Sequence, residues 1–113
     1  RDRHGTEAKI SFGEFVIDPN LRVLLRSGQA VELSGGEFDL LLALARHPNR
    51  ILSRDRLLTL VHGDNAEQME RAIDVQIHRL RKLLEVDAVQ PQIIKTVWGR
   101  GYVFSLPADG VSA

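Results

Sequence analysis

The chain of 113 residues contains no cysteine, which excludes a disulfide scaffold and any thiolate metal site and suits a reducing compartment. It also lacks any apolar run approaching the roughly 18 residues that a membrane-crossing helix requires, so a cytoplasmic location without a membrane partner is expected. Neither an initiator Met nor a signal-peptide pattern opens the sequence, which reads as a piece of a longer chain. Net charge is missing too: 15 Lys and Arg stand against 15 Asp and Glu, a balance that argues against indiscriminate binding to polyanions. Catalytic constellations are absent. His4, His47, His62 and His78 are scattered without a metal-ligand spacing, and Ser34 and Ser53 stand where helix caps are expected. Gly35-Gly36 lacks the surroundings of a phosphate-binding loop. Neither an enzyme nor a cofactor is expected, and the length suits one domain able to bury roughly two-thirds of its unfolded surface.

What is present is a strongly uneven placement of charge. Twelve of the cations are Arg and three are Lys. Residues 1–45 carry a charge of −2, residues 46–56 carry +3 and residues 57–70 carry −3. Residues 71–82 return to +3, and residues 83–113 sum to −1. Two short basic segments thus flank an acidic one.

Residues 1–9 have no periodicity and read as linker, as does the tail 107–113, which leaves 10–106 as the folded unit. From Ile10 to Leu33 the pattern is strand-like: ISFGEFVID, a turn at Asp18-Pro19-Asn20, LRVLLR, a turn at Ser27-Gly28, then AVEL. Ser34-Gly35-Gly36-Glu37 is a capping box that starts a Leu-rich helix, which stops at Pro48-Asn49. Ser53 caps a second, shorter helix ending near His62-Gly63. The third helix spans about residues 67–85, where Met69, Ile73, Ile77, Leu80 and Leu84 form one apolar stripe. After Gln90-Pro91, IIKTV and YVFSL read as a hairpin turning at Trp98-Gly99-Arg100-Gly101. The predicted fold class is α+β: an N-terminal antiparallel meander, three helices and a C-terminal hairpin, the outline of a winged helix-turn-helix.

Two surfaces suit double-stranded DNA. The outer face of the third helix carries Arg71, Val75, Gln76, His78, Arg79, Arg81 and Lys82, flanked by Asp74. Such a helix fits the major groove, where Arg pairs with guanine, Gln with adenine and an apolar side chain with a thymine methyl. The competing reading is a solvated helix with Asp74–His78 and Arg71–Asp74 pairs. At the hairpin tip Arg100 lies between two glycines and suits a narrow minor groove. Trp98 either meets sugar and phosphate edges or packs on the third helix, with packing favoured. Arg54 and Arg56 open the second helix, where cations oppose the dipole unless phosphates approach or nearby acids pair with them.

Three strings, LSGGEFDLLLALARHPNRILSRDRLL, RAIDVQIHRLRKLL and IKTVWGRGYVF, carry a resemblance that runs from Ile10 to Ser105. The sequence resembles the OmpR/PhoB-type winged-helix effector domain of bacterial two-component response regulators. The resemblance implies DNA binding that regulates transcription, with the third helix in the major groove and the wing at the minor groove. It further implies tandem half-sites bound by a second copy of the chain, and a separate receiver domain upstream. Contact with RNA polymerase is implied through the loop after the second helix, here Gly63, Asp64, Asn65, Ala66 and Glu67. By position, Arg71, Arg79, Arg81 and Lys82 match basic recognition positions, and Thr96 matches a phosphate-meeting wing residue. Asp74 is similar to an acid that orients cations or accepts from a cytosine amine, and Tyr102 matches a structural position. Departures concern base preference: Trp98 stands where relatives often have Arg, Gln76 where they have His, and Leu83 where they have Lys. The competing function is a winged-helix protein-interaction module without DNA binding.

Overall fold

The computed structural model describes residues 7–62 and 70–106, with backbone alone at 62 and 70–72. Residues 1–6, the tail 107–113, Met69 and the expected polymerase-contact loop from Gly63 to Glu67 lie outside the described residues.

Four short strands open the fold: β1 (Ile10–Phe12), β2 (Phe15–Asp18), β3 (Val23–Arg26) and β4 (Gln29–Val31). They form an antiparallel sheet in that order. The segment ISFGEFVID was expected to be continuous but folds back on itself, because Gly13 takes a φ of +57° and lets Phe12 pair with Phe15. Register then places Ile17 opposite Leu24, both fully buried. At the β2–β3 turn the buried Asp18 carboxylate accepts from the amides of Asn20 (3.0 Å) and Leu21 (3.3 Å), replacing the water it lost. Ser27 and Gly28 both have positive φ, the condition for the two-residue turn that joins Arg26 to Gln29.

Helix α1 (Gly35–Ala45) begins at the expected capping box. Ser34 Oγ accepts from the Glu37 amide at 3.1 Å, and the Glu37 carboxylate accepts from the Ser34 amide at 3.0 Å. Phe38 and every residue from Leu40 to Ala45 are buried, so this helix has almost no solvent face. Strand β5 (Ile51–Leu52) follows, then α2 (Arg54–His62), whose start is capped by Ser53 Oγ accepting from the Arg56 amide at 3.0 Å. Helix α3 (Glu70–Leu84) turns Ile73, Ile77, Leu80 and Leu84 into the core.

The wing consists of β6 (Ile94–Val97) and β7 (Gly101–Phe104), but it is wider than a hairpin. Strand β5 pairs with the other side of β7, giving the order β5-β7-β6. Two residues show no period, which is why this strand is invisible in the sequence. The Phe104 ring meets Phe12 edge-on at 5.0 Å between centroids, joining the wing to the first sheet through the core. At the other end, the Glu85 carboxylate accepts from the amides of Gln92, Ile93 and Ile94 at 2.7–3.0 Å, fixing where β6 begins relative to the end of α3. Among the described residues, no helix is long and apolar enough to cross a membrane.

Gly101 makes the three-stranded wing possible. Its φ is +141°, and a Cβ there would collide with the Leu52 carbonyl oxygen across the β5–β7 pair. Gly99 has a φ of +76° but open space around the same position. Replacing Gly99 by Ala should therefore cost only the left-handed penalty of roughly 1–2 kcal/mol. Gly101→Ala adds the collision with β5 and should cost clearly more, as read from urea midpoints of the two variants.

Candidate nucleic-acid interface

Helical phase sorts the side chains of α3. At about 100° per residue, Lys82, Val75, Arg79 and His78 fall within about 60° of the outward direction. All four are exposed, including the apolar Val75 at 49%. Asp74 and Arg81, one heptad apart, turn about 90–110° towards the wing, and Gln76 turns about 110° towards α1. The expected outer face thus divides into an open centre and two occupied flanks. Arg71 lies on the backbone of α3, but its side chain is outside the described residues.

On the α1 flank, Gln76 is half-buried rather than displayed. A Cβ on Gly36 would sit 2.5 Å from Gln76 Nε2, so the amide packs over this glycine, and a side chain there would displace the tip of Gln76. The Gln76 carbonyl oxygen is buried with no hydrogen-bond partner among the described residues. That differs from the expectation of an outward Gln. Next to it, an Arg79 guanidinium nitrogen lies 3.7 Å from the Glu37 carboxylate while the side chain stays 64% exposed. Glu37, read from the sequence only as a cap, therefore also pairs with the tip of the Arg79 side chain.

The wing flank holds a chain of charged contacts. Arg81 Nε donates to the Ile94 carbonyl at 2.9 Å, and a terminal nitrogen donates to Thr96 Oγ1 at 2.7 Å. Its guanidinium also lies 5.6 Å from the centre of the Tyr102 ring. The Tyr102 hydroxyl donates to one Asp74 oxygen at 2.6 Å, and Arg54 donates to the other at 2.7 Å. Arg54, Asp74, Arg81 and Thr96 were each weighed as ligand contacts, and each has a partner inside the protein; for Arg54 pairing with an acid, and for Asp74 orienting cations, stood as the other reading. The Asp74–His78 pair of the competing solvated-helix reading is replaced by these longer-range bonds, since Asp74 points to the wing and to the start of α2.

Trp98 corrects a second expectation. The last rung of the wing ladder is Val97 with Gly101, and the Arg100 amide donates to the Val97 carbonyl at 2.9 Å to close the turn. Trp98 lies beyond that rung, so it cannot lean back on α3 and remains 90% exposed. Arg100 is exposed beside it. An open cleft of about 460 Å³ separates this tip from the start of α2, with Ser53, Arg54, Asp74 and Tyr102 at its floor and sides. The arrangement offers a convex cationic helix face, then a cleft, then an aromatic and cationic tip.

Burial, then the bond to Asp74 and its negative charge, push the Tyr102 phenol up to about 12, against the opposing charges of Arg81 and Arg54. A raised folded-state pKa stabilises the fold fully below the ordinary phenol value near 10, and that contribution is lost as pH climbs through about 12. Absorbance titration at 295 nm should place the single tyrosine near that value. Asp74→Asn should lower it without restoring the ordinary value, because burial remains.

A family model described as "Transcriptional regulatory protein, C terminal" matches residues 28–104. The chain is 41% identical over 96 residues to the transcriptional regulatory protein RstA of Escherichia coli K12, covering 85% of this chain. It is 41% identical over 100 residues to the regulatory protein VirG of Agrobacterium fabrum, covering 88%. In each case it spans 40% of the relative's length. Among solved structures, the Klebsiella pneumoniae RstA DNA-binding domain in complex with the RstA box superposes with a TM-score of 0.76 at 44% identity. That match covers 88% of this chain and 98% of the other. The DNA-binding domain of CpxR from E. coli gives a TM-score of 0.76 at 32% identity, over 90% of this chain and all of that one. With its winged-helix fold and this set of relatives, the chain belongs to the family of transcriptional regulatory protein C-terminal domains, of the OmpR/PhoB type.

Proposed function

We propose that this domain binds double-stranded DNA in a sequence-specific way, as the effector domain of a two-component transcriptional regulator, without catalysing a reaction. The observation that carries the reading is the open face of α3, where His78, Arg79 and Lys82 surround Val75 with the Trp98–Arg100 tip beyond the cleft. The helix face suits base edges in a major groove, and a protruding cationic tip suits the adjacent minor groove. The K. pneumoniae RstA domain, seen with its RstA box, supports the same reading by similarity. Residues 10–106 form the binding unit in this proposal, with 1–9 as the linker to an upstream receiver domain. A second copy on tandem half-sites and RNA polymerase at Gly63–Glu67 complete its partners, in the cytoplasm of a bacterium.

The exposed Trp98 indole favours a second reading, a protein-interaction module. The cationic centre of α3 weighs against it, because protein interfaces are depleted of charge at their core.

Selecting and sequencing genomic fragments retained by the domain would give the half-site, its spacing and its orientation. At that site Arg79→Ala should cost on the order of 1–3 kcal/mol. Lys82→Ala should weaken all sequences alike and shrink the salt slope by about 1. Negligible losses for Arg79→Ala, Lys82→Ala and Arg100→Ala together, with a flat salt response, would overturn the proposal.

A further inference from the structure

Among the described residues, strand β6 is the edge of the wing sheet, with β7 on one side and no strand on the other. An edge strand of four residues is paired along one side by β7 and fixed at its start by Glu85, while its far end leads into a glycine turn. Arg81 closes that free edge. From α3 it grips the strand at two points, the Ile94 carbonyl and the Thr96 hydroxyl, while its guanidinium carbon lies over the Tyr102 ring on β7, 5.6 Å from the centroid. Two donors in a fixed fork define an orientation as well as a distance, which a point charge cannot do. The side chain is half-buried, unlike its neighbour Lys82.

We propose that Arg81 is a positioning residue, which sets the angle between the helix that reads DNA and the wing that accompanies it. The inference rests on the DNA-binding reading and assigns Arg81 a place different from the exposed cations beside it. The Arg81 fork orients β6, and β6 carries the turn at Trp98–Arg100. Arg100 then meets the minor groove at the right distance only while the fork is intact. Thr96 serves as the far half of the fork.

The first test needs no DNA. In the 15N-labelled domain, Arg81→Gln should lower the heteronuclear NOE of amides 96–100 while α1 and α3 keep wild-type values. Arg81→Lys should do the same, since it keeps the charge but loses the fork. An unchanged NOE in Arg81→Gln would overturn the proposal whether or not the domain binds DNA. Should Arg81→Gln fail to fold, Thr96→Val, which removes no charge, should loosen the same amides to a smaller degree. A Thr96→Val tip as ordered as wild type would equally refute the idea.

The second test is a double-mutant cycle at the selected half-site. If Arg100→Ala weakens binding about tenfold in the wild-type background, it should weaken Arg81→Gln by less than about threefold, because the wing is already misplaced. Multiplying losses, or full recovery with Arg81→Lys, would identify Arg81 as an independent phosphate contact and overturn the positioning role. Failure of the wild-type domain to retain any fragment would count against DNA binding, and the NOE result would still decide the role of Arg81.

Discussion

Helix α1 has to be enclosed. Phe38 and the unbroken run from Leu40 to Ala45 are buried around its whole circumference, so no orientation gives it a solvent face. Each fully buried Leu or Phe contributes roughly 1.5–3 kcal/mol. Five of them on one helix rival the roughly 5–15 kcal/mol net stability of a whole domain. The rest of the fold follows from enclosing it: α2 and α3 pack against it and β7 reaches it from the wing, while Phe12 ties the first sheet to Phe104 in the same core. The polar start of α1 is closed by its own capping box, and the same Glu37 lies 3.7 Å from Arg79 on the proposed DNA-facing side of α3. Core and interface therefore share a residue.

The zero net charge acquires a spatial meaning in this arrangement. Arg22 pairs with Asp39, Arg26 with Glu14, Arg46 with Glu7 and Arg54 with Asp74. Such exposed pairs add little stability. What they do is consume cations away from the outer centre of α3 and the wing tip, where Lys82 and Arg100 stand without a salt bridge among the described residues. The proposed DNA-facing charge is small and localised, a composition that favours selective over indiscriminate contact.

The elements legible from the sequence were those whose signal is local. The stripe of Ile73, Ile77, Leu80 and Leu84, the Ser34–Glu37 box, the Ser53 cap and the glycine-flanked turn all declare themselves within a few residues. What was illegible depends on partners far along the chain. Asp74 meets Arg54 and Tyr102, 20 and 28 residues away, and no local pattern announces either bond. Gln76 lies on the same helix as the exposed cations, yet its amide packs over Gly36, 40 residues earlier in the chain. Strand β5 exists only because β7 offers it an edge. Helical phase would have separated Arg81 from Lys82, but which flank faces the wing is a property of topology.

Glu85 has a consequence for how the family can vary in length. By accepting three amides of 92–94, it joins the end of α3 directly to the start of β6. The intervening residues are left as a closed surface loop, with Val86 and Val89 almost wholly in solvent. Loop-closure cost rises slowly, by about 0.6 kcal/mol for each doubling of length. Extra residues inserted between Glu85 and Gln92 would enlarge that loop without shifting either of its ends. This is a place where evolution, or a protein engineer, can add chain while leaving α3 and the wing in register.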